Sequence, residues 1–208
     1  MKNIKHFIWD FDGTLVDTYP NLVRYMGLAL ADFGITAEPT EILEKMLENI
    51  GYAVNFYTEK YQIPELTNRY DYHYGLGKDD PADAFAGVKA VLEYIQQSGR
   101  ANYIYTNRGE SINKMLDEIG LRQYFAEIVK KGDEAFKFKP APDSILYLME
   151  KYGGSCDDTV MIGDRKCDLE SGYQAGCKTL HLLTPSVPQY PPCDWRIENY
   201  QQMLQMLK

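Results

Sequence analysis

The chain has 208 residues, 45% of them hydrophobic, 13% aromatic and 25% charged, which supports a packed core and excludes an intrinsically disordered polymer. That length suits one domain of about 100–200 residues carrying at most a smaller insertion, and excludes both a tiny disulfide scaffold and a long multidomain assembly. Thirty acidic against 22 basic side chains give a formal charge of −8 with no Lys/Arg-rich run, so no nucleic acid is expected as partner; a metal ion or a few focused donors can still attract an anionic small molecule.

The first apolar run, His6–Trp9, reads as a strand that stops at Asp10, far short of a signal-peptide core or a membrane span. From about Leu15 to Asp83 no convincing strand occurs. Asn21–Phe33, Thr40–Ile50, Ala53–Tyr61 and Glu65–Tyr74 read instead as helices, punctuated by Gly34, Pro39, Gly51 and Pro64. Beyond this stretch strand and helix alternate. Apolar spacing predicts helices at Gly87–Gln97, Ser111–Ile119, Asp143–Tyr152 and Leu169–Ala175. Strands are predicted at Asn102–Tyr105 before Thr106 and at Thr159–Ile162 before Gly163-Asp164, with shorter β-like runs at Glu127–Lys130 and Thr179–Leu183. Pro185, Pro188, Pro191 and Pro192 mark a loop before a last helix, Glu198–Leu207. The pattern predicts an α/β fold, a Rossmann-like parallel sheet flanked by helices, with residues 1–14 and 84–208 forming the core and 15–83 an inserted all-helical domain. Cys156, Cys167, Cys177 and Cys193 show neither a Cys-x-x-Cys pair nor zinc-ligand spacing with histidine, so they read as reduced thiols of a soluble, cytoplasmic protein with no membrane partner.

The strongest chemical signal is Asp10-Phe11-Asp12-Gly13-Thr14-Leu15, directly after the first strand. A chain leaving a sheet can turn both carboxylates toward one point, where their mutual repulsion calls for a cation, a shared proton or strong donors. Magnesium suits an all-oxygen donor set and also phosphate oxygens. A calcium-binding EF-hand loop begins the same way, but Leu15 stands where that loop needs Gly, Asn21 where it needs Glu, and a strand precedes where a helix belongs.

These residues resemble the haloacid dehalogenase superfamily, in its phosphatase branch with a helical cap. Further motifs follow in the expected order: Thr106-Asn107 after the second strand, Lys139 in Lys139-Pro140-Ala141-Pro142, and Gly163-Asp164 with Asp168 beyond. The resemblance implies that Asp10 is the nucleophile that forms an aspartyl-phosphate. It makes Asp12 the general acid and then the general base, with its backbone carbonyl on Mg²⁺. Asp10, Asp12, Asp164 and Asp168 would form the metal site. Gly13, Thr106, Asn107 and Lys139 would hold phosphate, with Lys139 also catalytic. The implied substrate is a small phosphorylated metabolite, and the implied assembly a monomer or homodimer.

The insertion resembles the cap that closes over such sites, and Asp17-Thr18-Tyr19-Pro20-Asn21-Leu22 is similar to a stretch of phosphoglycolate phosphatases; phosphoglycolate or a sugar phosphate is the suggested ester. Asn21, Arg165 and Lys166 depart from the usual pattern. Arg108, beside Asn107, offers another cation but reads more readily as a solvated loop charge, and His73, which could touch substrate, reads more readily as a surface or packing histidine. Arg24, Tyr19, Asn55, Tyr52 and Arg69 are candidate specificity residues. The second Asp disfavours carbon–halogen cleavage, whose leaving group needs no acid, and the absence of a histidine near Leu22 disfavours a mutase. A phosphotransferase and a non-catalytic phosphate-binding protein remain as alternatives.

Overall fold

The computed structural model describes residues 1–133, 136–183 and 192–208; of the predicted proline loop, Pro185, Pro188 and Pro191 lie outside the described residues. Among the described residues six strands form one sheet: β1 (His6–Trp9), β2 (Ala101–Tyr105), β3 (Phe125–Val129), β4 (Thr159–Gly163), β5 (Lys178–Leu182) and β6 (Trp195–Ile197). Their order is β3-β2-β1-β4-β5-β6, and every pairing is parallel. The central position of β1 explains its unbroken apolar run. Phe7, Ile8 and Trp9 are covered on both faces and at both edges.

Register then fixes where function can sit. Trp9 lies opposite Ile104 of β2 and Ile162 of β4, so the three strands end level. The residues that follow, Asp10, Thr106 and Asp164, emerge at the same carboxyl edge. The chain leaves β1 toward β2 on one side and β4 on the other, and such a reversal opens a crevice beyond the strand ends.

The core unit comprises Met1–Asp17 and Asp83–Lys208. Leu15 and Val16, read from sequence as the start of the insertion, belong to it: both are fully buried, Val16 bridges to Ala84, and the Phe85 N–H donates to the Leu15 carbonyl. Helices α5 (Val88–Gln97), α6 (Ser111–Glu118), α7 (Asp143–Tyr152), α8 (Lys166–Gln174) and α9 (Tyr200–Leu207) complete this unit. On α5, Val88, Val91, Leu92 and Ile95 keep helical spacing and are all buried. The Asn102 side chain accepts from Trp9 Nε1 at 3.0 Å and donates to the Leu92 carbonyl at 3.2 Å, so a polar group inside the sheet is matched on both sides. Gly87 precedes α5 with φ +87°, and a Cβ there would crowd Tyr200 of α9.

The second unit, Thr18–Ala82, is entirely helical: α1 (Tyr19–Ala31), α2 (Pro39–Glu48), α3 (Ile50–Tyr61) and α4 (Leu66–Gly77). Pro20 and Pro39 occupy first-turn positions, where a missing N–H costs nothing, and Asn49 caps α3 by accepting from the Tyr52 N–H. Leu22, Met26, Leu30, Ile42, Met46, Tyr57 and Leu66 are buried. Among the described residues no helix is long and apolar enough to cross a membrane.

Candidate active site

Asp10 begins the site at the end of β1, where its N–H still donates to the Ile162 carbonyl and so extends the sheet by one bond. The next residues form a tight turn. Gly13 has φ +79°, a conformation that residues with a side chain adopt only under strain, and its N–H donates to the Val16 carbonyl at 2.9 Å. Asp164 follows β4, and Asp168 lies in the first turn of α8. Thus Asp10, Asp164 and Asp168 bring one carboxylate oxygen each to within 4.8 Å of one another, all three residues fully buried.

The loop that carries Lys139 delivers a cation to this acidic group. Lys139 Nζ donates to Asp10 Oδ1 at 2.5 Å and to Asp168 Oδ1 at 2.7 Å, and all three side chains have 0% exposure. Burial alone would lower the pKa of this ammonium; the charges of Asp10 and Asp168 outweigh it and hold Lys139 protonated, above its ordinary range. Burial, and after it the charge of Asp168, pushes the Asp10 carboxyl up to about 6 against the opposing pull of Lys139 and Arg165. Three acidic side chains, Asp10, Asp164 and Asp168, against the one ammonium of Lys139 leave a formal excess of negative charge, which suits a divalent cation. Asp10 Oδ2 is buried without a hydrogen-bond partner. A hard oxygen donor set with one such atom fits a hard cation.

The surrounding residues hold the acids in place. The Arg165 N–H donates to Asp168 Oδ2 at 3.0 Å, which starts α8 and turns the carboxylate back over Gly163; a Cβ at Gly163 would collide with it. Thr14 Oγ1 donates to Asp164 Oδ1 at 3.1 Å, and the Tyr200 hydroxyl holds the Thr14 carbonyl at 2.6 Å. His181 Nε2 donates to the Asp164 carbonyl at 2.9 Å; burial lowers the pKa of this histidine, which keeps the ring neutral. The Lys139 N–H donates to Asn107 Oδ1 at 3.0 Å. The Tyr105 hydroxyl shares its one proton between the Ala141 carbonyl at 2.9 Å and the Lys137 carbonyl at 3.2 Å, on either side of Lys139. Sequence reasoning missed His181, Tyr105 and Tyr200, whose types give no chemical signal until the strands and α9 are assembled.

Asp12 lies apart from this cluster. Its carboxylate takes both Nε and Nη2 of Arg108, with the shortest bond at 2.6 Å. Reading Arg108 as a solvated loop charge was therefore incorrect: its side chain is 5% exposed, because the chain after β2 turns back over Asp12. Thr106 Oγ1 fixes that turn by accepting the Arg108 N–H at 3.1 Å.

The family profile described as haloacid dehalogenase-like hydrolase matches residues 7–182, and so spans this site and most of the sheet. The chain belongs to that family. The hydrolase is 28% identical over 193 residues to a phosphoglycolate phosphatase of Aliivibrio fischeri, covering 87% of this chain and 85% of the relative. It is 26% identical over 218 residues to the phosphoglycolate phosphatase of Haemophilus influenzae, covering 96% of each. A crystal structure of a "predicted phosphoglycolate phosphatase" from Haemophilus somnus shares the fold with a TM-score of 0.82 over the full length of both chains, at 21% identity.

In the hydrolase's helical unit, several specificity candidates have local partners. Arg24 pairs with Asp80, Arg69 pairs with Asp32, and His73 Nε2 lies 2.8 Å from Asp32 Oδ2. Tyr19 is buried, whereas Tyr52 is exposed.

Proposed function

We propose that this hydrolase is a Mg²⁺-dependent phosphatase that cleaves a small phosphorylated metabolite, phosphoglycolate or a sugar phosphate, through an aspartyl-phosphate on Asp10. The observation that carries this reading is the convergence of Asp10, Asp164 and Asp168 around Lys139 at the carboxyl edge of the sheet. The phosphoglycolate phosphatases among its relatives support the substrate class, and the free cysteines suit a reducing, cytoplasmic setting.

Asp10, Asp164 and Asp168, with the Asp12 backbone carbonyl, would hold the metal. Bound there, Mg²⁺ supplies positive charge to the phosphoryl oxygens. Asp10 is ionised at neutral pH and attacks phosphorus without a base to activate it. Thr106, Asn107, Lys139 and the Gly13 turn form the phosphate cradle; the Gly13 N–H would exchange its bond to Val16 for one to phosphate. Lys139 offsets the repulsion between Asp10 and the incoming dianion throughout the reaction. Asp12 protonates the departing alkoxide and then takes a proton from the water that cleaves the aspartyl-phosphate.

Phosphate release from phosphoglycolate, sugar phosphates, nucleotides and pyrophosphate, measured with Mg²⁺ and with EDTA, tests the reading. The expected result is EDTA-sensitive hydrolysis of one or more small phosphomonoesters. Transfer of phosphate to an added alcohol in place of water would reassign the protein as a phosphotransferase. A folded, Mg²⁺-supplemented protein inert toward the whole panel would reassign it as a phosphate-binding protein.

A further inference from the structure

Arg108 has no part in the reaction as described above, yet it is among the most thoroughly anchored cations of the core. Its backbone N–H donates to Thr106 Oγ1, its carbonyl accepts from the Lys131 N–H, and Nη1 donates to Ser111 Oγ at 3.2 Å. The guanidinium carbon lies 5.6 Å from the ring centroid of Phe11, the buried residue between Asp10 and Asp12. The rest of the fork grips Asp12: Nη2 donates to Oδ1 at 2.6 Å, and the Nε–H is shared between Oδ1 at 2.9 Å and Oδ2 at 3.1 Å. A planar guanidinium fixes both the position and the plane of a carboxylate, which a lysine ammonium cannot do.

We propose that Arg108 is the positioning residue for Asp12: its guanidinium fork fixes the place and the plane of the carboxylate that exchanges a proton with the leaving oxygen and with water. The proposal rests on the acid–base role given to Asp12 above and deepens it. As the Asp10–phosphorus bond forms and the bond to the leaving oxygen breaks, the proton on the Asp12 carboxyl passes to that oxygen. Water then attacks phosphorus and the Asp10–phosphorus bond breaks, returning its electron pair to the Asp10 carboxylate. A water proton returns to the Asp12 carboxylate, and the cycle closes without an oxidant or reductant. General acid catalysis requires correct geometry before proton affinity counts, and a lysine at this position separates the two by keeping charge without the fork.

The experiment compares kcat/KM, which reports chemistry up to loss of the alcohol, for an alkyl ester and for p-nitrophenyl phosphate, whose leaving group needs no proton. The alkyl ester is phosphoglycolate or the best ester of the panel, and the enzymes are wild type, Asp12→Asn, Arg108→Met and Arg108→Lys. The ratio of the two substrates is insensitive to the active fraction of a preparation, and Arg108→Lys keeps a cation beside Asp12 if the methionine variant folds poorly. In Asp12→Asn and Arg108→Met the alkyl ester should lose about 10²-fold relative to the aryl ester, with about a 10-fold relative loss in Arg108→Lys. A loss equal for both substrates would overturn the proposal and make Arg108 a phosphate-binding or purely structural residue. A wild-type ratio in Arg108→Lys would overturn it by showing that charge suffices. A wild-type ratio in Asp12→Asn would remove the acid–base assignment itself and the proposal with it, whereas a selective loss in Asp12→Asn alone would remove only the role of Arg108.

Discussion

Among the described residues, the core unit encloses charged side chains of a kind that the helical unit keeps at its surface. In the helical unit, Arg24–Asp80, Arg69–Asp32 and Lys60–Glu41 pair at the surface; the last spans 2.8 Å with side chains 38% and 34% exposed. Water already solvates such groups, so pairing them changes little, and apolar burial along α1 to α4 holds that unit together. In the core unit, Lys139, Asp10 and Asp168 are fully enclosed, where desolvation costs several kcal/mol per ion and only close, matched partners recover it. A fold that needed only stability would be served as well by apolar side chains there. Enclosed charge therefore coincides with the site proposed for the chemistry.

Three substitutions can break or sharpen this contrast. The largest effect is expected for Asp10→Asn, which removes the proposed nucleophile: phosphate release should fall by at least about 10⁴-fold. Because burial and Asp168 already disfavour the ionised Asp10 carboxylate, its neutral replacement should cost no stability. Urea unfolding beside the activity assay checks both halves, and a variant with substantial turnover would remove Asp10 from its role. Next comes Lys139→Met, which leaves Asp10 and Asp168 without their shared cation and should lower unfolding stability by about 3–5 kcal/mol in EDTA. Mg²⁺ should restore part of that loss by supplying the missing charge, visible as a metal-dependent rise in the urea midpoint. The smallest effect is expected for Glu41→Gln, which removes the partner of Lys60 in the helical unit. Its thermal midpoint should match wild type, and a clear drop would show that charge matters in that unit as well.

The contrast also explains what could be read in advance. Strands β1, β2 and β4 were legible to within a residue, because strands buried on both faces show as apolar runs. Four helices were legible in the insertion from apolar spacing and from Gly and Pro punctuation. Helix α8 begins three residues earlier than its apolar spacing suggested. Its first turn is set by Asp168 accepting the Arg165 N–H, a contact that Arg165 and Lys166 disguise as a polar loop. Strand β6, only Trp195–Ile197, was missed, since three residues are too few to show alternation and its place depends on pairing with β5. Within the site, Arg108 was misread for a similar reason. It stands 96 positions from Asp12, in a loop with no periodicity, and only the folded sheet brings the two together.

The sequence by itself determined the α/β alternation, the helical insertion and the acidic motifs at strand ends, because each is written in local spacing and in the chemistry of single residues. The tertiary structure alone decided which acids share a site and which cation each one meets. Lys139 went to Asp10 and Asp168, and Arg108 to Asp12. The physical reason is that a buried charge takes its meaning from neighbours within a few ångströms, and the parallel register of β1, β2 and β4 chooses those neighbours from distant parts of the chain.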